Sequence, residues 1–449
     1  MLRNLAQNKN IKHLIVSSWS ISWPMTLIMF FMFLIGLADV YVAGLFGKEV
    51  QAAYGFASQL YFVFGIIGFA LTTGAVSVVS RLHTSHHQES LHTAVDSSLI
   101  SSTLSGIALS LLALIFSSGL VRAFDVPAAL KGPALSLMRF YSLGLVFSYI
   151  LVNTNGILRA CGMIKKSLWT MVIVCLLNIW LNFTLSFGTT LRFQGIVVAT
   201  IISTGIGCIL NLVFLKRIML HRLKFSLPVT KKIVSIGWPA GMLQILWQLA
   251  ALALFLIISA LPVNNVETLA AFTNGLRIEA AIFLPAFAFN MAAAVVVGNL
   301  LGKKNKEDAF WAGIVTALLG LTLVTIMTVA VMFNARNIAG LLSNNELVIN
   351  ECVRYIYIAL LFEPVMAWSV ILAGGLNGAG DTKSVMVIVA LCVWLVRVPL
   401  SYILALHFGI GPAAVWWAMN ISISFQAIFI TGRYFSRKWL IHAHVEIPV

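Results

Sequence analysis

Apolar runs of 20 or more residues recur along almost all of this chain, and they decide which solvent it folds in. A run of about 20 apolar residues is the length a helix needs to cross a bilayer. Composition points the same way, since 60% of residues are hydrophobic and 10% charged. The mean hydropathy is +0.98, far from that of soluble domains. Lipid offers no water to unpaired backbone groups, so only helices and closed barrels can span it. These unbroken runs lack the apolar–polar alternation of barrel strands. The expected fold class is an all-α polytopic membrane protein.

The runs define about twelve transmembrane helices, near 14–46, 52–80, 92–118, 132–158, 168–187, 194–216, 233–261, 268–300, 309–333, 347–374, 385–408 and 411–433. Several are longer than a bilayer is thick, which predicts tilting or bending, with Pro24, Pro239, Pro285 and Pro364 as the bend points. The first run is too long for a signal-peptide core and lacks a small-residue cleavage pattern, so no cleavable leader is expected. Cys161, Cys175, Cys208, Cys352 and Cys392 have no paired spacing and read as packing residues.

The 29 Lys and Arg are distributed unevenly. One set of loops and tails holds most of them: Arg3, Lys9, Lys12, Arg81, Arg159, Lys165, Lys166, six between Lys216 and Lys232, Lys303, Lys304, Lys306, Lys383, Arg433, Arg437 and Lys438. The opposite set holds Lys48, Arg122, Lys131, Arg192 and Arg336. Basic short loops stay cytoplasmic, so the chain is expected to be multi-pass in the bacterial inner membrane with both termini cytoplasmic. Topology and anionic membrane lipid account for the net charge of +15, and no nucleic-acid partner is expected.

An internal repeat organises the chain. A shift of 218 places Ala52-Ala53 on Ala270-Ala271, Phe69-Ala70 on Phe287-Ala288, Val78-Val79 on Val296-Val297, Leu158 on Leu376, Gly162 on Gly380 and Lys165 on Lys383. Trp23-Pro24 meets Trp238-Pro239 at a shift of 215, and Phe187-Gly188 meets Phe408-Gly409 at 221. The expected domains are two pseudo-symmetric six-helix bundles, 1–218 and 219–449, joined by the basic cytoplasmic linker 216–232. An even number of spans in each half makes them parallel repeats, with the substrate path expected between them and alternating access as the mode of action.

The residues also resemble a known family, the multidrug and toxic compound extrusion (MATE) transporters of the multidrug/oligosaccharidyl-lipid/polysaccharide flippase superfamily. The resemblance covers nearly the whole chain. It rests on the two Trp-Pro pairs, Gly36-Leu-Ala-Asp39, Leu276-Arg-Ile-Glu279, Phe283-Leu-Pro285, Val297-Gly298-Asn299 and Leu376-Asn-Gly378-Ala-Gly380-Asp381-Thr382-Lys383. It implies a secondary active antiporter that exports organic cations and amphiphiles against an inward proton or sodium gradient. No cofactor beyond the coupling ion, H+ or Na+, is implied.

Carboxylates at membrane depth are costly, roughly 2.5–3.5 kcal/mol on insertion scales, and so mark function. Asp39, Glu279 and Glu363 are the acids well inside the spans. Counting residues from the span ends puts Asp39, Asn178, Asn182 and Thr200 at one level, roughly 8–14 Å below one surface. Asn178 and Asn182, four apart, share a helix face. A carboxylate, two amides and a hydroxyl at one depth would make an oxygen-rich site for a proton or hard cation; helix-to-helix glue is the competing reading. By the resemblance, Asp39, Asn178 and Thr200 match cation-coupling positions. Asn182 departs from it, because many relatives carry Asp there. One carboxylate suits a proton better than a dehydrated Na+.

In the second half, Glu279, Glu363, Arg277, Gln248 and Arg397 are candidates for substrate binding or proton relay. Pairing of the acids with Arg277, Arg354 or Arg397 is the alternative. The seventh run reads Gln244-Ile-Leu-Trp247-Gln248, without the acid that some family members carry. A lipid-linked oligosaccharide flippase, which would gather arginines around a pyrophosphate, is the rival function. Twelve Trp, 29 Phe and 15 Met could line a path for flat cations, although any membrane bundle needs such side chains. His83, His86, His87 and His92 read as a solvated loop, and Gly375-x-x-Gly378-x-Gly380 follows a helix where a phosphate loop would follow a strand. No constellation of nucleophile, base and metal appears, so no enzyme and no resident metal are expected, and the chain should act as a monomer.

Overall fold

A computed structural model describes residues 9–85, 88–124, 127–216, 218–219 and 224–442. Among these residues, twelve helical segments are long and apolar enough to cross a membrane. The first six are α1 (Lys9–Leu45), α2 (Lys48–His83), α3 (Gln88–Ala123), α4 (Ala128–Ala160), α5 (Ile164–Gly188) and α6 (Gly195–Leu215). Next come α7 (Leu227–Ser259), α8 (Asn265–Gly302), α9 (Lys306–Phe333) and the short α10 (Ala335–Leu342). The tenth span is built from α11 (Glu346–Ala359) and α12 (Glu363–Gly378), and the eleventh from α13 (Thr382–Leu391) and α14 (Val398–Tyr402). The last span is α15 (Pro412–Phe435), followed by a single turn, α16 (Trp439–His442). Arg3, His86 and His87, with part of the basic linker, lie outside the described residues.

Local chemistry sets the helix ends. The Asn305 side chain accepts the Asp308 N–H at 3.1 Å to cap α9, and Asn345 accepts the Leu347 N–H at 2.9 Å to cap α11. Pro24, Pro239 and Pro285 lie inside continuous helices, whereas Pro364 follows a 3₁₀ turn at Leu360–Phe362 that breaks the tenth span. The eleventh span widens into π turns at Cys392–Arg397 and Ile403–His407.

The repeat survives at atomic level. At the end of α4, Gly162 has φ 73° and the Met163 N–H reaches the Leu158 carbonyl at 2.8 Å. At the end of α12, Gly380 has φ 87° and the Asp381 N–H reaches Leu376 at 2.9 Å. Both are the same left-handed glycine cap, 218 residues apart. The packing repeats too. Gly156 on α4 lies against Thr72 and Val76 of α2, and the matching Gly374 on α12 lies against Asn290 of α8, with Gly378 one turn on against Ala294. Bare Cα atoms let such helix pairs approach closely where lipid supplies no hydrophobic drive.

Packing separates two compact units. The first bundle is Leu27–Gly241, with a core that includes Val42, Ala53, Ala57, Leu137, Ile196 and Val197. The second takes in the described residues from 242 to 442 together with those up to Thr26. Its core includes Phe289, Phe310, Ile356, Leu372 and Tyr434. The first turns of α1 join the second bundle through Leu14, which packs with Val296 and Val315, and through a 2.9 Å hydrogen bond from Thr316 to the Ser18 hydroxyl. The start of α7 joins the first, where the Ser226 N–H meets Ser97 Oγ at 2.9 Å. The change of partner falls two residues past Pro24 in α1 and two past Pro239 in α7.

Candidate functional site

In the first bundle, three helices bring polar side chains to the carboxylate of Asp39 on α1, which is 3% exposed. Asn182 on α5 donates its amide N–H to Asp39 Oδ1 at 2.7 Å. Oδ2 accepts the Tyr54 hydroxyl of α2 at 3.2 Å and the Thr200 hydroxyl of α6 at 3.4 Å. Asn178 donates to Thr200 Oγ1 at 3.1 Å, while its own Oδ1 is buried without a hydrogen-bond partner. Asp39, Asn178, Asn182 and Thr200 are thus one hydrogen-bonded cluster.

Every partner of the carboxylate is a neutral donor. An ionised carboxylate offers about four lone-pair sites and wants donors, so this arrangement fits the anion. It can also fit the acid, because Thr200 has a second acceptor for its own proton in the Ile196 carbonyl at 3.2 Å. A hydroxyl that turns to that carbonyl frees its oxygen to accept a proton from Asp39. The cluster therefore has two internally consistent hydrogen-bond patterns that differ by one proton.

Tyr54 and Tyr141 escape sequence reasoning. The Tyr141 ring lies 6.2 Å from that of Tyr54 and 4.7 Å from that of Tyr61, which itself bonds Ser148, so an aromatic wall backs the carboxylate. One signal was available. A shift of 218 pairs Tyr54 with Phe272, a break in the repeat that adds a hydroxyl to one half only.

The second bundle holds a different set. Tyr355 on α11 donates to Glu279 Oε2, and Glu363, close enough to feel the Glu279 charge, is buried with its Oε2 lacking a hydrogen-bond partner. Arg397 is buried at the end of the first π turn; its Nε donates to Ser422 Oγ at 2.8 Å and its guanidinium sits 5.4 Å from the centre of the Trp247 ring. It lies close enough to act electrostatically on both acids. Arg277 and Gln248 are exposed and stand outside this group. Arg354 faces Glu351 at 3.8 Å, and both line a cavity of about 480 Å³ between the ends of α8, α11 and α15. Of the arginines considered as partners for the two acids, Arg397 is the one beside them.

The five cysteines are free and buried. Burial pushes the Cys161 thiol, between α4 and α5, up to about 12.

Comparison with known proteins gives one answer at three levels. The family model described as MatE matches residues 24–184 and 239–403, one segment in each half. The chain is 22% identical to the probable multidrug resistance protein NorM of Thermotoga maritima, over 90% of this chain and 89% of that protein. It is 24% identical to the multidrug resistance protein NorM of Burkholderia vietnamiensis, over 97% and 96%. Among solved structures, an outward-facing multidrug resistance MATE family transporter of the MOP superfamily shares the fold at a TM-score of 0.89 and 20% identity, covering 95% of this chain and 97% of that one. With the family model matched across both halves, this chain belongs to the MatE family, a family of membrane transporters and not of enzymes.

Proposed function

We propose that this transporter is a secondary active antiporter that exports cationic and amphiphilic small molecules in exchange for inward-moving protons, with Asp39 as the proton carrier. The observation that carries the reading is a buried carboxylate whose hydrogen-bond partners are all neutral. A proton or a cationic substrate can each cancel its charge, so the two compete for one negative site. Facing outward, Asp39 takes a proton. Thr200 or Tyr54 turns from donor to acceptor, the cluster repacks, and the cargo loses its counter-charge and leaves. Facing inward, loss of the proton restores the anion.

The names of the NorM relatives support multidrug export as the cargo class. The basic ends of α2, α4 and α8, with Arg81, Arg159 and Lys303, support an orientation that places those ends in the cytoplasm of an inner-membrane protein. Glu279 and Glu363 would attract a cationic substrate within the second bundle. A flippase is the weaker reading, because Arg277 is exposed, Arg354 faces Glu351 and Arg397 is held by Ser422.

The test is efflux of a fluorescent organic cation from proteoliposomes under a pH gradient and, separately, a sodium gradient. Wild-type transport under the pH gradient alone, lost in Asp39→Asn, is the expected result. Equal transport by wild type and variant removes Asp39 from the mechanism. Transport driven by sodium alone replaces the proton with Na+.

A further inference from the structure

The first bundle holds a second buried polar network, nearer the basic ends of its helices than the Asp39 cluster. Asn211 on α6 donates to Thr154 Oγ1 at 3.0 Å and to Asn155 Oδ1 at 2.9 Å, and accepts the Thr170 hydroxyl at 2.8 Å. The Ser167 hydroxyl also reaches Asn155 Oδ1, at 2.8 Å. Each of these side chains is buried.

The two networks lie on the same helix faces. On α5, Thr170 belongs to the lower network and Asn178 to the upper; on α6, Asn211 belongs to the lower, and Ser203, bonded to the Thr200 carbonyl at 3.1 Å, continues the upper. Each gap is eight residues, about 12 Å of helix rise. A proton crossing it would need a chain of three or four hydrogen-bonded groups about 3 Å apart. The side chains packed at the middle of the gap are apolar. Val174 and Leu151 are buried within it, and opposite them α6 presents Gly207. A Cβ on Gly207 would come within 2.6 Å of a Val174 methyl and 3.0 Å of a Leu151 methyl. The glycine lets two apolar side chains close over the α6 backbone. Cys208, the thiol beside this layer, is already spent on the Phe147 carbonyl at 3.1 Å.

We infer that Val174, Leu151 and Gly207 form a proton-tight seal through the first bundle, separating the Asp39 cluster from the Asn155–Asn211 network. The inference rests on the reading of Asp39 as a proton carrier and adds what that reading needs. An exporter whose carrier touched both sides through its own bundle would collapse the gradient without moving cargo. With the layer closed, Asp39 gains and loses its proton only when the cluster around it rearranges.

The seal is tested without substrate, by the decay of an imposed pH gradient in proteoliposomes holding a trapped pH-sensitive dye, with valinomycin and potassium clamping the potential. Val174→Ser removes two methyl groups, adds a hydroxyl and makes room for about one water; Val174→Thr adds the hydroxyl at constant volume. Leu151→Ser opens the layer from α4 should Val174→Ser not fold. The expected result is gradient decay at least about tenfold faster than wild type in a serine variant, returning to the wild-type rate in Asp39→Asn/Val174→Ser. Folded serine variants as tight as wild type overturn the seal, and so does a leak that Asp39→Asn leaves unchanged. Failure of the coupling reading looks different: the variants leak through Asp39 while wild-type export ignores the pH gradient.

Discussion

If the first bundle carries one proton on one carboxylate, exchange of that proton for a monovalent cation moves no net charge. The energetics follow. Each pH unit across the membrane supplies about 1.4 kcal/mol, enough for about tenfold accumulation of substrate. A potential of about 100 mV acts on each net charge with about 2.3 kcal/mol, which would be worth about fiftyfold, but here it has no net charge to act on. The perturbation is therefore to impose the two gradients one at a time on proteoliposomes, with a permanently charged monovalent dye as cargo, and to read the steady-state ratio of dye across the membrane. The expected slope is about tenfold per pH unit, with no response to a potassium–valinomycin potential. A slope near a hundredfold per pH unit together with a response of about fiftyfold to 100 mV would refute the one-carboxylate count. Two protons would then be moving per cargo, and the neighbouring Glu279–Glu363 pair would be the second carrier. Loss of the extra slope in Glu363→Gln would assign it.

Asn182→Leu removes the 2.7 Å donor to Asp39 Oδ1, a hydrogen bond to a charged group worth about 1.5–3 kcal/mol, and should slow pH-driven efflux tenfold or more. Ser186→Ala removes a 3.5 Å contact to the Asn182 side chain and should stay within about twofold in the same assay. A Cβ at Gly374 would fall 2.7 Å from the Asn290 carbonyl carbon, so Gly374→Ala should cost about 1–3 kcal/mol and lower the melting temperature, whereas Gly36→Ala, with nothing within 4 Å, should not. With its thiol pushed up to about 12, Cys161 at pH 8 holds about one thiolate in ten thousand, so maleimide labelling of the folded protein should run about a thousandfold slower than for an exposed cysteine. Raising the pH by one unit should speed it about tenfold.

The spans were legible because length and apolarity are local properties, and lipid enforces them residue by residue. The upper polar cluster was legible for a related reason: polar side chains are rare at that depth, so counting turns from the span ends brings Asp39, Asn178, Asn182 and Thr200 to one level. Tyr54 was not, because an aromatic ring satisfies an apolar pattern whether or not its hydroxyl is used. The facing of Arg277 and Gln248 was hidden by the solvent itself. In water an apolar stripe fixes which side of a helix turns inward; in lipid the outer side is apolar as well, and the pattern says little about rotation. The π turns at Cys392–Arg397 and Ile403–His407, which set the direction of Arg397, depend on packing against α15 and have no mark in residue type.

The two halves share a glycine cap and a glycine-to-helix contact at the same offset, yet their buried charges are arranged on opposite principles. In the first bundle one carboxylate stands among neutral donors, so a single proton changes the local charge from −1 to 0 and rearranges every hydrogen bond around it. In the second, two neighbouring carboxyls sit in the field of Arg397, so a proton gained there alters a charge that is partly balanced. A switch driven by one proton belongs where one proton makes the larger difference. On the proposed reading the transition sits at Asp39, and the Glu279–Glu363–Arg397 group would set which cargo the second bundle tolerates. Glu363→Gln should accordingly change the ranking of cations exported while leaving the dependence on pH gradient at one proton per cargo, and a loss of that dependence would reverse the assignment of the two bundles.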